Sequence, residues 1–151
     1  MDITISAVDV GEVIAIGLVG RLDVELMRRY PGEAIDGVDP RSFRDAGGYF
    51  LIGRCDAEVA GCGAFRPIDS RTVEIKRMFV EPRFRRQGVA RVILQSLEAE
   101  ARRRGYTRSI LETGVRQPEA IGLYRTSGYQ DIPAFGPYID SVLSVCLGKS
   151  L

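Results

Sequence analysis

The run Arg85-Arg86-Gln87-Gly88-Val89-Ala90 is the stretch of the chain best suited to chemistry. It follows Phe79-Val80-Glu81-Pro82-Arg83-Phe84, where a β-rich segment is stopped by proline, and it opens a long helical pattern. Free N–H groups at a helix start, together with the positive end of its dipole, form an anion site. Gly88 lets a phosphate approach the backbone closely, and Ala90 is too small to obstruct it. The spacing fits neither the dinucleotide-binding glycine fingerprint nor the Walker loop. The blander alternative is an ordinary helix start with surface arginines. A phosphate-bearing ligand is the expectation.

Charge singles out the same region. The 151 residues carry a net charge of +1, yet residues 76–108 hold 10 basic and 3 acidic side chains. Residues 1–75 hold 8 basic and 13 acidic, and residues 109–151 hold 3 and 4. One basic segment on a near-neutral chain suggests a local anion site rather than a nucleic-acid surface. Arg102-Arg103-Arg104 reads as a solvated helix face, which does not explain Arg83, Arg85 and Arg86. The acidic N-terminal half favours a cationic partner.

What the chain lacks also narrows the chemistry. There is no histidine, so serine triads, cysteine–histidine dyads and histidine-based zinc sites are excluded. Cys55, Cys62 and Cys146 form no close pair, so no metal site is expected, and an odd thiol count favours a reducing compartment. No apolar stretch approaches the roughly 20 residues of a membrane span. With 45% hydrophobic and 27% charged residues, the expectation is one soluble, cytoplasmic domain covering residues 1–151.

The surrounding elements follow from periodicity. Ile3-Thr4-Ile5-Ser6 alternates as a first strand. Residues 9–30 are ambiguous: 13–19 reads as a strand, whereas Leu22, Leu26 and the charges through Arg29 read as a helix weakened by Gly17 and Gly20. Asp39-Pro40-Arg41-Ser42-Phe43 looks like a short capped helical turn. Residues 49–52 and 59–65 form a hairpin, and 73–80 a third β run. Ala90, Ile93, Leu94, Leu97 and Ala101 fall at helical spacing before Gly105. A strand at 109–113, a helix at 118–127 and final strands at 129–132 and 141–147 complete the order. A β-meander followed by a βαβ crossover gives an α/β, or mixed α+β, class.

Two segments resemble the GNAT superfamily of acyl-CoA-dependent N-acetyltransferases. Arg85-Arg86-Gln87-Gly88-Val89-Ala90 matches the family's (Gln/Arg)-x-x-Gly-x-(Gly/Ala) motif. Ala120-Ile121-Gly122-Leu123-Tyr124-Arg125-Thr126-Ser127-Gly128-Tyr129 resembles its A-x-x-L-Y-x-x-x-G-(Phe/Tyr) segment, in the right order and separated by a helix and a strand. The likeness covers nearly the whole chain. It implies a mostly antiparallel, V-shaped sheet of six or seven strands flanked by about four helices, with acetyl-CoA wedged where the fourth and fifth strands part.

The resemblance also implies roles. Met78, Phe79 and Val80 would lie along the pantetheine arm, and Arg85, Arg86, Gln87, Gly88, Val89 and Ala90 would hold the pyrophosphate. Gln117 stands where many members have asparagine, with the same amide chemistry. Tyr124 matches the tyrosine aimed at the coenzyme sulfur. A phenol, with its pKa near about 10, can protonate a leaving thiolate. Glu74 lies where several members place the base that deprotonates the amine, and an ion pair with Lys76 is its structural alternative. The implied reaction is direct transfer of acetyl from acetyl-CoA to a primary amine of a small molecule or peptide. A non-catalytic acyl-CoA-sensing module is the alternative. No nucleic acid or membrane partner is expected, and a homodimer is the candidate assembly.

Overall fold

Alternating and continuous apolar runs build a seven-stranded sheet in the computed structural model, which describes residues 2–33 and 39–151. The strands are β1 (Ile3–Ala7), β2 (Tyr49–Cys55), β3 (Glu58–Pro67), β4 (Thr72–Val80), β5 (Arg108–Gly114), β6 (Gln130–Asp131) and β7 (Ser144–Ser150). Their order across the sheet is β1-β2-β3-β4-β5-β7-β6. β4 and β5 run parallel, and the other neighbours are antiparallel. Helices α1 (Val13–Arg29), α2 (Pro40–Asp45), α3 (Val89–Arg103) and α4 (Pro118–Thr126) flank the sheet. The expected mixed α/β, mostly antiparallel architecture is what the chain adopts.

Both faces of the central strands are covered, which is why β2, β3 and β4 read as near-continuous apolar runs. On one face α3 buries Val89, Ile93, Leu94, Leu97 and Ala101 against Leu51, Phe65, Ile75 and Leu111. Each large side chain so buried contributes roughly 1.5–3 kcal/mol. On the other face α1 lays Ala15, Leu18 and Leu22 over Phe50, Ile52, Cys62, Ala64 and Phe79. A buried polar network fastens α3 to the far strands. Glu98 accepts from Lys149 Nζ and from the Tyr129 hydroxyl, each at 2.9 Å, and Tyr129 meets Ser109 Oγ at 2.8 Å.

Three local expectations need correction. Residues 13–19 are helix, not strand. Gly17 and Gly20 each cost about 1 kcal/mol in a helix interior, and burying Ala15, Leu18 and Leu22 outweighs that. The last strand begins at Ser144 rather than 141, because a turn at 142–143 delays its pairing with β5. Arg103 and Arg104 are not simply solvated. Both bind Glu100, and Arg104 also donates to the Gly47 carbonyl and lies over Tyr49. Among the described residues no helix is long and apolar enough to cross a membrane.

Candidate active site

The sheet opens between β4 and β5. Their pairing runs from Thr72↔Arg108 to Ile75↔Leu111 and stops there, although β4 continues to Val80 and β5 to Gly114. A bulge in β4 accompanies the parting. Cys62 opposes Phe79 and Ala64 opposes Lys76, so Arg77 and Met78 together face Gly63. Arg77 takes a left-handed φ of +59°, and such a bulge sharpens strand twist. Its guanidinium is buried 3.7 Å from the Asp23 carboxylate of α1. The ladder between β4 and β5 therefore ends at Ile75, five residues before β4 does. The parted strands border a cleft of about 1040 Å³.

One wall of this cleft is built for an anion. Arg86 has φ +63° and Gly88 has φ +85°, with Gln87 between them at negative φ. Left-handed residues alternating in this way are a feature of the backbone nests that can bind anions. Gly88 is the N-cap of α3, and the first turn of α3 holds no acidic side chain to neutralise its positive end. Arg86, Gly88, Val89 and Ala90 all line the cleft. Two neighbours are engaged elsewhere. Arg85 donates from Nε to the Val80 carbonyl at 2.8 Å and from Nη2 to Glu25 of α1 at 2.7 Å. Arg83 pairs with Glu58 at 3.2 Å.

The rest of the cleft carries the other groups: Tyr124, Gln117 and Glu112 on the β5–α4 wall and Glu74 on β4. Tyr124 of α4 is buried at the cleft and sits edge-on to Tyr129, with ring centroids 5.9 Å apart. Burial, and secondarily the nearby Glu112 charge, pushes its phenol pKa upward, so the hydroxyl keeps its proton. Gln117 caps the turn into α4, its Oε1 accepting from Gly114 N–H at 3.1 Å. Glu74 is buried on β4, with Oε1 3.1 Å from Arg66 and Oε2 3.7 Å from Lys76. Glu112 of β5 lines the cleft and accepts from Ser144 Oγ at 2.6 Å.

The sequence profile described as the Acetyltransferase (GNAT) family matches residues 21–129. The chain is also 39% identical over 136 residues to an IAA acetyltransferase from Azospirillum brasilense, spanning 89% of this chain and 88% of the relative. The chain belongs to the GNAT acetyltransferase family. A putative acyl-CoA N-acyltransferase from Klebsiella pneumoniae is 32% identical with a TM-score of 0.83, over 99% of this chain and 97% of that one. A GNAT family acetyltransferase from Elizabethkingia anophelis, solved with acetyl-CoA bound, shares the fold at 20% identity and TM-score 0.70, over 99% and 98% of the two chains.

In this GNAT enzyme the cleft gathers most residues singled out from the sequence: Glu74, Met78, Phe79, Val80, Arg85, Arg86, Gly88, Val89, Ala90, Gln117 and Tyr124. Gln87 stands apart, its amide donating to the Arg83 carbonyl at 3.3 Å. The Arg85 side chain is engaged by Glu25 of α1, and both residues of the pair line the cleft. Glu25 and Arg29 of α1, and Tyr30 at its end, line the cleft. Sequence reasoning expected the N-terminal helices to contact the acceptor but named none of their residues. It also missed Glu112, although the strand bearing it was found. No local pattern marks either.

Proposed function

We propose that this enzyme is an N-acetyltransferase that moves the acetyl group of acetyl-CoA to a primary amine of a small molecule or peptide, by direct attack in a ternary complex. The observation that carries this reading is the continuity of one cleft from the turn at residues 86–88, along the part of β4 beyond its ladder with β5, to Tyr124. An elongated substrate with a pyrophosphate at one end and a thioester at the other fits those features in that order. That the Elizabethkingia relative was solved with acetyl-CoA bound supports acetyl-CoA as the co-substrate.

Each residue then has a task. The N–H groups of the 86–88 turn and of the start of α3 hold the pyrophosphate. Backbone groups of Met78 and Val80 pair with the amide arm, and an N–H beside the Arg77–Met78 bulge faces the thioester oxygen, where it stabilises the developing oxyanion. Glu74 assists loss of the ammonium proton, through a relay because cations already face both its oxygens. The amine nitrogen bonds to the thioester carbon, the C–S bond breaks, and Tyr124 gives its proton to the departing sulfur. The second proton, shed by the new amide nitrogen, returns to the Tyr124 oxygen.

No acyl-cysteine is needed. Burial pushes the Cys62 thiol up to about 12, and Cys55 and Cys146 are buried as well. Three unpaired thiols fit a reducing, cytoplasmic setting. The acidic N-terminal half favours a cationic acceptor. Acetylation of an amine panel, read by mass and by free-thiol release, tests the reading. One N-acetyl product per thiol released is expected. Coenzyme binding without thiol release or product would make the protein a sensing module instead.

A further inference from the structure

We propose that Tyr30 is a positioning residue for acetyl transfer, holding the β5–α4 wall of the cleft, and with it Tyr124, at its working distance from β4. The proposal rests on the acyl-transfer reading above. Beyond Ile75↔Leu111 no backbone ladder joins β4 to β5, so something else must fix how far apart the two walls stand. Helix α1 reaches both. Toward β4 and the turn after it, Arg21 pairs with Glu81, Asp23 with Arg77 and Glu25 with Arg85. Toward the β5–α4 turn, Arg29 pairs with Glu119 and donates to the Arg116 carbonyl at 3.1 Å, while Arg116 donates to the Arg29 carbonyl at 2.9 Å.

Apart from the buried Arg77–Asp23 pair, these ion pairs are partly or fully exposed and contribute little to fixing a geometry. Tyr30 differs, because it is 9% exposed and ends α1 against backbone. Its hydroxyl accepts from the Arg116 N–H at 3.0 Å and lies 3.5 Å from Gln117 Oε1. Tyr30 also occupies the space beside Gly114 that a side chain would need, since a Cβ added there would fall on its hydroxyl. Gly114, Arg116 and Gln117 form the turn that starts α4, and Tyr124 lies two turns further on. A shift of Tyr30 therefore moves the start of the helix that carries the acid. Misplacing a reacting group by about 1 Å can cost on the order of 100-fold in rate.

The test compares wild type with Tyr30→Phe, Tyr30→Leu, Gly114→Ala and the Gly114→Ala/Tyr30→Leu double variant. For each, kcat and KM for one accepted amine are set beside the coenzyme Kd from calorimetry. Gly114→Ala is expected to lower kcat about tenfold or more, and Tyr30→Phe by about fivefold, with Kd changed less than about threefold. In the Leu background, which lacks the two closest clashing atoms and leaves only the flexible Gln117 Oε1 at 2.9 Å, Gly114→Ala should add much less than it costs alone. The proposal is overturned by kcat within about twofold of wild type in Tyr30→Phe, by independent multiplication of the Gly114 and Tyr30 effects, or by kcat and Kd worsening in step. Should Gly114→Ala fail to fold, Tyr30→Phe, which keeps the ring, decides alone. A wild-type enzyme that acetylates no amine overturns the acyl-transfer reading and this proposal together. Normal turnover insensitive to Tyr30 overturns this proposal only.

Discussion

Tyr124 and Glu74 sit in opposite electrostatic settings. Tyr124 is buried with its pKa raised, so it holds its proton throughout the physiological range and its ionisation removes no activity below about pH 10. Tyr124→Phe deletes the hydroxyl and keeps the ring against Tyr129. Turnover at saturating coenzyme should fall, by up to roughly 10²–10⁴-fold for a positioned acid and less if water protonates the thiolate. Coenzyme affinity should hold. A rate within about twofold of wild type would leave Tyr124 as a packing residue. Glu74 has Arg66 and Lys76 around its carboxylate, the ion pair that was the alternative to a base. Glu74→Gln separates the two roles by pH. As a base, Glu74 matters most where the amine is protonated, so the variant should lose most turnover at low pH and bind coenzyme normally. An unchanged pH–rate profile would make Glu74 structural.

Helix α3 joins fold to site because one residue serves both. Gly88 ends the anion turn and caps the helix at φ +85°, a conformation that costs a residue with a Cβ about 1–2 kcal/mol. A side chain there would meet no protein atom, so packing does not object. What it would obstruct is the phosphate. Gly88→Val is therefore expected to lower stability modestly and to weaken acetyl-CoA binding more than tenfold, beyond about 1.4 kcal/mol. Calorimetry on the folded variant checks this, and unchanged affinity would sink the placement. Helix α1 illustrates the opposite case. Its own sequence is a poor helix former, and docking on β3 and β4 decides its structure.

Across the whole molecule, the Glu98–Lys149–Tyr129–Ser109 network ties the helix beside the anion turn to β5 and β7. Glu98 is 3% exposed, so removing its cation leaves a charge buried without a counter-ion. Lys149→Met is expected to cost about 3 kcal/mol, near the lower end for a broken buried pair. In a domain of this size that lowers Tm by roughly 6–12 °C. Pairing it with Glu98→Leu should recover much of the loss. Thermal denaturation of both variants checks the account, and a Tm for Lys149→Met within about 2 °C of wild type would show the network to be dispensable.

Elements whose signals are local can be read from their residues alone. α3 was legible because its apolar face repeats at helical spacing between Gly88 and Gly105. The hairpin, β4 and α4 were legible from their runs and their Pro and Gly punctuation. The anion turn was legible because a helix start needs only its own backbone. Tertiary structure decided the rest, because the contacts involved join distant residues. Glu25 takes the Arg85 side chain across 60 positions, and Tyr30 meets Arg116 across 86. Such pairings leave no periodicity or composition to read. The parting of β4 from β5 is of the same kind, since a bulge opposite Gly63 appears only once β3 has paired with β4. Composition and spacing located the turn at residues 85–90, most of which lines the cleft. Its width, and the helix that spans it, exist only in the folded chain.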